Sequence, residues 1–319
     1  MTQFARQSVT VTAGARLHFG LCALAPEWSG AGVTVEAPVT RVTIAATDGP
    51  AEFVAPEGEE ERLRAAVRAI AGDAPVRAEL LACPPAHSGL GSGTQIALAA
   101  ATATARLLGE PDPVAGPLFE QLGRANRSRL GAAGFLSGGM LLDPLGAIGA
   151  AQGTAVRCVQ LPAEWRWVIV LPAEGGGVSG EEEAAALRRM PPMSRPFSGG
   201  LRRMILQSLP LAAGLGERPP NAVLFARILG DYGMRVGKHF ASLQGGVFVS
   251  PAVREWAADR KDRNLPPPAQ SSWGPAACSV FGSAELAEAE ARRVRSLLGD
   301  AVTVLVTATR NRGADFKER

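Results

Sequence analysis

Hydrophobic and polar positions alternate along residues 8–13 (SVTVTA) and 32–46 (GVTVEAPVTRVTIAA), a period of two that predicts β-strands. Residues 59–72 (EEERLRAAVRAIAG) instead repeat apolar positions every three or four residues and stop at Gly72, which predicts an amphipathic helix. Residues 76–82 (VRAELLA) return to strand periodicity. A glycine-rich turn at 89–93 then leads into 94–109 (TQIALAAATATARLLG), which has no charged face and predicts a buried helix closed by Gly109. A further helix is expected at about 115–128 and a returning strand at 138–143 (GGMLLD). The Gly/Pro-rich stretch 143–153 divides the chain into an N-terminal domain, 1–153, and a C-terminal domain, 154–319.

In the second half, 165–172 (WRWVIVLP) is a continuous apolar run that predicts a strand. Residues 181–190 form a helix with Glu181–Glu183 at its start and arginines at its end, as the helix dipole favours. Helices follow at 199–214 and 221–240, then a loop over 261–275, the CSVFGS segment, a helix over 284–298 and a strand over 302–309. The pattern specifies an α+β protein of two domains, with mixed sheets packed against helices and no internal repeat.

The 319 residues are 46% hydrophobic and 20% charged, enough for a sizeable core, and the net charge is +3 from 33 basic and 30 acidic side chains. That balance points to neither nucleic acid nor an anionic membrane as partner and leaves small anions as ligands. Lys238, Lys261 and Lys317 are the lysines; all other basic residues of this set are arginines. Arginine's planar fork suits phosphate and carboxylate, and GC-rich coding explains the same bias equally well. Cys22, Cys83, Cys158 and Cys278 stand far apart, which predicts reduced, packed thiols rather than a zinc or disulfide framework. The start MTQFARQSVTV lacks the apolar core of a signal peptide, and no run of about 18 apolar residues exists to span a bilayer, so a cytoplasmic location is expected.

The segment Pro84 to Thr94 (PPAHSGLGSGT) places Gly89, Gly91 and Gly93 with the hydroxyls of Ser92 and Thr94 where a helix begins. Glycines admit an anion close to the backbone, and the unpaired N–H groups of a helix start then face it with the dipole behind them. A phosphate cradle and an ordinary tight turn both fit these residues. A Walker A loop does not, because no Gly-Lys-Ser/Thr is present.

The segment resembles the second motif of the GHMP kinases, Pro-x-x-x-Gly-Leu-Gly-Ser-Ser before a small-residue helix. Pro85 through Ser92 match it, while Gly93 replaces the last serine and Thr94 restores a hydroxyl. Arg16-Leu17-His18-Phe19-Gly20-Leu21 and Ser271-Ser272-Trp273-Gly274-Pro275 further resemble segments of the β-ribofuranosylaminobenzene 5'-phosphate synthase branch of that superfamily. The resemblance spans residues 15–275 and implies a GHMP-kinase-like two-domain fold.

Several GHMP kinases carry an aspartate ahead of a Gly-Gly pair, where a carboxylate polarises the accepting hydroxyl. Here that place falls at Gly131, and no acid lies between Gln121 and Met140. Homoserine kinases work without that aspartate, and the synthase branch also lacks it. The resemblance therefore implies a decarboxylating pentosyltransferase that joins phosphoribosyl pyrophosphate to 4-aminobenzoate or 4-hydroxybenzoate, releasing pyrophosphate and carbon dioxide, in tetrahydromethanopterin biosynthesis. Mg²⁺ as cofactor and a homodimer are implied with it. An ATP-dependent small-molecule kinase and a silent phospho-ligand binder remain as alternatives on the same fold.

Under the synthase reading, Gly89, Leu90, Gly91, Ser92, Gly93 and Thr94 hold phosphate, and the hydroxyls of Ser92 and Thr94 reach the metal. Arg16 and His18 alternate with apolar residues, so both leave one face of a strand toward the substrate. A structural ion pair for Arg16 and a satisfied core role for His18 are the plainer readings. Ser271 and Ser272 are candidates for anion contacts and Trp273 for stacking on the aromatic acceptor, or all three form a turn anchored by a packed tryptophan. Arg129, beside the acid-free segment, is a candidate anion-holding cation. His87 is expected to shape its loop, Lys238 and His239 to be solvated at a helix end, and Asp143 to serve a turn.

Overall fold

The computed structural model describes residues 4–23, 29–111, 129–143, 156–174 and 180–319, with backbone alone at 23 and 180–184. Strand β1 (Ser8–Ala23) runs well beyond the predicted 8–13, because the alternation continues: Val9, Val11, Ala13, Ala15, Leu17 and Phe19 are all buried, and Thr10, Thr12, Arg16 and His18 lie on the opposite face. Strand β2 (Ser29–Ala46) is equally long, followed by β3 (Glu52–Val54), α1 (Glu60–Ala71), β4 (Val76–Ala82), α2 (Ser92–Leu108), α3 (Leu130–Ser137), β5 (Met140–Asp143) and β6 (Arg157–Val159). Strand β7 (Arg166–Pro172), α4 (Gly180–Arg189), α5 (Arg195–Arg203), a π-helical turn (Met204–Ser208) and α6 (Leu209–Ala212) come next. Then follow α7 (Ala222–Gln244), α8 (Pro251–Asp262), β8 (Ala269–Gln270), β9 (Ala277–Phe281), α9 (Ala284–Leu298), β10 (Val302–Ala308) and β11 (Asp315–Glu318).

Two sheets result. The first runs β11-β1-β2-β4-β3, with β5 also on β2 and β6 on β5; the second runs β10-β7-β9-β8. All pairs are antiparallel except β3 with β4. The C-terminal strand β11 crosses back to pair with the start of β1, from Val9 opposite Glu318 to Thr12 opposite Asp315. The sheet that begins at residue 8 is therefore completed only at residue 318.

Each long strand feeds two cores. Val9, Val11 and Ala13 of β1 pack with Val42 and Ile44 of β2 under α1 and α2, whereas Ala15, Leu17 and Phe19 join Ala31, Val33 and Val35 in a cluster with Trp167, Phe225 and Trp273. Strand β7 reads as unbroken hydrophobic sequence because both its faces are covered: Trp167, Ile169 and Leu171 enter the cluster with Phe19, while Val168 and Val170 pack with Val253, Trp256 and Val294 beneath α8 and α9. Helix α2 is buried nearly all round, as its alanine-rich sequence demands.

The predicted helix at 115–128 and most of the 143–153 boundary lie outside the described residues. The single helix expected over 199–214 is a helical run from 195 to 212 that loosens into the π turn ahead of Pro210, whose missing N–H cannot continue the regular ladder. Helix α8 occupies 251–262, capped by Ser250, so the 261–275 loop starts only after it. Helix α7 runs on to Gln244 and closes at Gly245, so Lys238 and His239 are not at a helix end. His239 Nε2 lies 3.0 Å from the Pro191 carbonyl oxygen, and its ring lies beside Phe197. Of the four thiols, Cys22 and Cys278 are buried and Cys158 is exposed, in contrast to the uniform packing expected.

Candidate active site

The glycine-rich turn is the N-terminus of α2. Gly91 caps that helix with φ 72° and Gly89 has φ 85°, both in the left-handed region where a side chain is strained. The N–H groups of Ser92 and Gly93 open α2 ahead of its hydrogen-bond ladder, whereas those of Thr94 and Gln95 already donate to the Gly91 carbonyl at 3.2 Å. Space excludes other residues as well as strain. A Cβ on Gly89 would lie 2.8 Å from the Ser271 carbonyl oxygen, and one on Gly93 would lie 3.2 Å from the Arg62 guanidinium carbon.

Hydrogen bonds weave this turn to the two other motifs. Arg16 N–H donates to the Leu90 carbonyl at 3.0 Å and Ala276 N–H to that of Ser88 at 3.1 Å. The Ser271 hydroxyl accepts from His18 N–H at 2.9 Å and donates to the Gly89 carbonyl at 2.6 Å. Ser272 N–H donates to the His18 carbonyl at 2.5 Å. Three segments separated by up to 253 residues thus meet on one backbone clasp, and Ser271, fully buried, is its pin.

Arg16 and His18 do leave one face of β1, and both line a cavity of about 100 Å³. Phe19, Leu21, Val236, Phe240 and Trp273 give it apolar walls, interrupted by Gln244, Gln270 and Ser272. The Trp273 and Phe240 rings meet edge to face with centroids 5.1 Å apart. Ser272 adopts φ 55°, which turns its side chain away from the clasp that Ser271 closes. Ser271 itself does not line the cavity.

The Arg16 side chain lies over Gly91 and against Gly131: a Cβ at Gly91 would come 3.3 Å from Nε, and one at Gly131 3.6 Å from Nη1. At Gly131 the same Cβ would meet Thr94 Cγ2 at 2.7 Å. The position where a kinase aspartate would stand is thus closed by Thr94 and flanked by a guanidinium. A side chain there would have to push the Thr94 methyl group aside.

His18 is 6% exposed, and neither ring nitrogen has a hydrogen-bond partner. Burial, with the Arg16 charge beside it, pulls the imidazole down to about 3, so the ring is neutral across the physiological range. The satisfied core role weighed for this histidine is therefore not what the structure holds.

Arg129 caps α3 and pairs with the buried carboxylate of Asp143 at 2.8 Å. It does not line the cavity. Arg62, which no motif marks, brings a second guanidinium to the glycine-rich turn; buried Glu59 holds it at 2.5 Å. Ser92 is buried and Thr94 half-buried at the first turn of α2, and His87 is exposed on the loop before it. Among the described residues there is no cluster of three or more acidic, histidine or cysteine side chains able to hold a metal, and no helix long and apolar enough to cross a membrane.

No family model matches the chain. Over 329 aligned positions it is 28% identical to a β-ribofuranosylphenol 5'-phosphate synthase of Methanothermobacter thermautotrophicus, covering 94% of this chain and 95% of that protein. The fold matches a homoserine kinase from Cytophaga hutchinsonii at a TM-score of 0.67 with 16% identity, covering 99% of each chain. It matches a phosphomevalonate kinase from Streptococcus pneumoniae at 0.68 with 14% identity, covering 98% of this chain and 100% of that one. A mevalonate diphosphate decarboxylase from Staphylococcus aureus superposes at 0.64 with 15% identity and 98% coverage of both. The architecture is that of the GHMP kinases, and the chain is related along nearly its whole length to the methanogen synthase.

Proposed function

We propose that this chain, a GHMP-fold relative of β-ribofuranosylphenol 5'-phosphate synthase, is a decarboxylating pentosyltransferase that joins phosphoribosyl pyrophosphate to 4-hydroxybenzoate or 4-aminobenzoate. The observation that carries the reading is the pairing of two unlike subsites by the clasp. A glycine-rich helix start flanked by Arg16 and Arg62 suits a diphosphate, and an aromatic-walled cavity shares Arg16 with it. The kinase alternative is weakened by Gly131, which offers no general base and is crowded by the Thr94 side chain.

The chemistry asks for little acid–base work. The bond between ribose C1 and the diphosphate breaks, and its electron pair leaves with pyrophosphate. The ring carbon bearing the carboxylate attacks C1; the carbon–carboxylate bond then breaks, returning its electron pair to the ring as carbon dioxide departs. No net proton transfer is required. The first-turn amides of α2 with Gly89, Leu90, Gly91 and Gly93 orient the anion, and Arg16 offsets its developing charge. Phe240 and Trp273 keep water from the cationic C1. Ser271 is assigned to holding the clasp, and Arg129 to fixing α3 through Asp143.

The donor set fits Mg²⁺ brought in on the diphosphate rather than held by a protein cage, since among the described residues the groups at this end are hydroxyls and Glu59 is paired with Arg62. Ser92 and Thr94 are the residues that would complete its coordination, directly or through water; when bound, the ion stabilises the leaving group. The reading places the protein in tetrahydromethanopterin biosynthesis, in the cytoplasm and as a homodimer. Incubation with Mg²⁺, phosphoribosyl pyrophosphate and each benzoate tests it: acceptor-dependent pyrophosphate release supports it, and ADP formation from ATP with a hydroxylated acceptor would replace it with the kinase.

A further inference from the structure

The cavity beside the clasp holds polar groups that are occupied and a buried imidazole that is not. The Gln270 carboxamide accepts from Val249 N–H and donates to Gln244 and to the Ser272 carbonyl. Gln244 in turn donates to the carbonyls of Gly246 and Val247. Both glutamines are spent on each other and on the protein's own backbone. His18 is different: it is 94% buried by its 6% exposure, lines the cavity, and neither ring nitrogen has a partner. A buried polar group left unpaired is costly, so its retention in an apolar wall calls for a ligand that completes it. Gly30 adds to this. A Cβ there would come 3.3 Å from His18 Nε2, so a side chain at position 30 would crowd that nitrogen.

The orientation of an aromatic acid in this cavity follows from the strand. Arg16 and His18 are two residues apart on one face of β1, about 6.7 Å along it. That is comparable to the reach of a benzoate from its carboxylate to its para substituent. Arg16 stands at the glycine-rich end, where the diphosphate and ribose C1 must lie. The acceptor's reacting carbon bears the carboxylate, so the carboxylate points toward Arg16. The para substituent is then one strand repeat away.

We propose that His18 is a specificity-determining residue whose ring nitrogen accepts a hydrogen bond from the para hydroxyl or amino group of the acceptor. This rests on the synthase reading for the identity of the acceptor, and on the cavity for the contact. A neutral imidazole has one bare nitrogen, which pairs with a hydroxyl or amino donor and gives nothing to a substituent without a proton. The site therefore selects para substituents that donate.

Calorimetric titration of the wild-type protein, His18→Phe and His18→Gln with 4-hydroxybenzoate and 4-fluorobenzoate tests it, with Mg²⁺ and pyrophosphate present to fill the anion end. The two ligands match in size, and only the first donates. The wild type should favour the hydroxy compound by about tenfold, the worth of one such bond. His18→Phe should bind both alike, and His18→Gln, which keeps an acceptor, should restore part of the preference. Equal binding of the two ligands by the wild type, binding of neither, or an unchanged preference in a folded variant would overturn the proposal. The wild-type comparison decides it even where a variant does not fold. Turnover with phosphoribosyl pyrophosphate is scored separately. Preference without turnover defeats the synthase reading alone, and turnover without preference defeats this one alone.

Discussion

Replacing Ser271 by alanine removes one hydroxyl and strands two backbone groups. The His18 N–H, now bonded at 2.9 Å, and the Gly89 carbonyl, at 2.6 Å, both lose their partner in a place where Ser271 has no exposure to water. Each orphaned buried group costs about 1–3 kcal/mol, so the variant should lose roughly 2–6 kcal/mol. For a chain of this size that corresponds to a fall in Tm of roughly 5–10 °C. The cavity walls are untouched, so the loss in catalysis should appear mainly as a raised KM for phosphoribosyl pyrophosphate, because the glycine-rich turn is no longer held against β1. Thermal unfolding followed by circular dichroism, with Ser272→Gly beside it, makes the check. Ser272 sits at φ 55°, which glycine tolerates better than serine, and its clasp bond is from the backbone. Its variant should unfold near the wild-type temperature. A Ser271→Ala melt within about 1 °C of the wild type would refute the assignment of this hydroxyl as the pin, because even one lost bond is worth more.

Further outcomes follow from the same geometry. The His18 imidazole is depressed to about 3 in the folded chain against 6.5 unfolded, so between those values the unfolded state binds the extra proton and stability falls as pH falls. From pH 7.5 to 5 this removes roughly 2 kcal/mol, and urea titrations should show the loss in the wild type but not in His18→Gln. Gly131→Asp should destabilise the fold through the 2.7 Å approach to Thr94 and confer no ATP-dependent phosphorylation of alcohols in a coupled ADP assay. Arg16→Lys, which keeps charge but loses the planar fork, should lower kcat/KM for phosphoribosyl pyrophosphate by about tenfold or more with little change in Tm; equal kinetics would remove the fork from the account.

Much of this architecture is legible in the sequence because long, strongly periodic segments dominate it. The period-two runs of β1 and β2, the all-round apolar surface of α2 and the acid-to-base gradient of α4 each leave little choice. The ordered motifs at Arg16–Leu21, Pro85–Thr94 and Ser271–Pro275 also anticipate a fold in which those segments meet. Helix α8 escapes because its buried positions are Val253, Trp256 and Arg260, and an arginine at a core position hides the apolar stripe. That arginine is neutralised by buried Glu290 at 2.7 Å, a partner 30 residues away. Strand β11 escapes because all four of its residues are exposed and carry no alternation; it is held by register against β1 and by Arg6 and Arg106 on Glu318.

Within the site, residue types near the reacting groups are readable, but their division of labour is not. Ser271 and Ser272 are adjacent and chemically alike, yet a single left-handed residue sends one hydroxyl into the clasp and leaves the other at the cavity. Arg62 reaches the glycine-rich turn only because α1 packs beside α2 and Glu59 aims its guanidinium. Its i,i+3 spacing from Glu59 reads in the sequence as an ordinary helix ion pair. Gly131 carries the reverse lesson. Its missing acid is visible in the sequence, but only the structure adds that Thr94 and Arg16 fill the space.

The most direct test of the central claim is incubation of the purified protein with Mg²⁺, phosphoribosyl pyrophosphate and 4-hydroxybenzoate or 4-aminobenzoate, following carbon dioxide, pyrophosphate and the ribosylated product by mass. The account predicts one carbon dioxide and one pyrophosphate per product, with neither formed in the absence of the benzoate. Pyrophosphate release independent of the benzoate, or no turnover beside ATP-dependent phosphorylation of an alcohol, would contradict it.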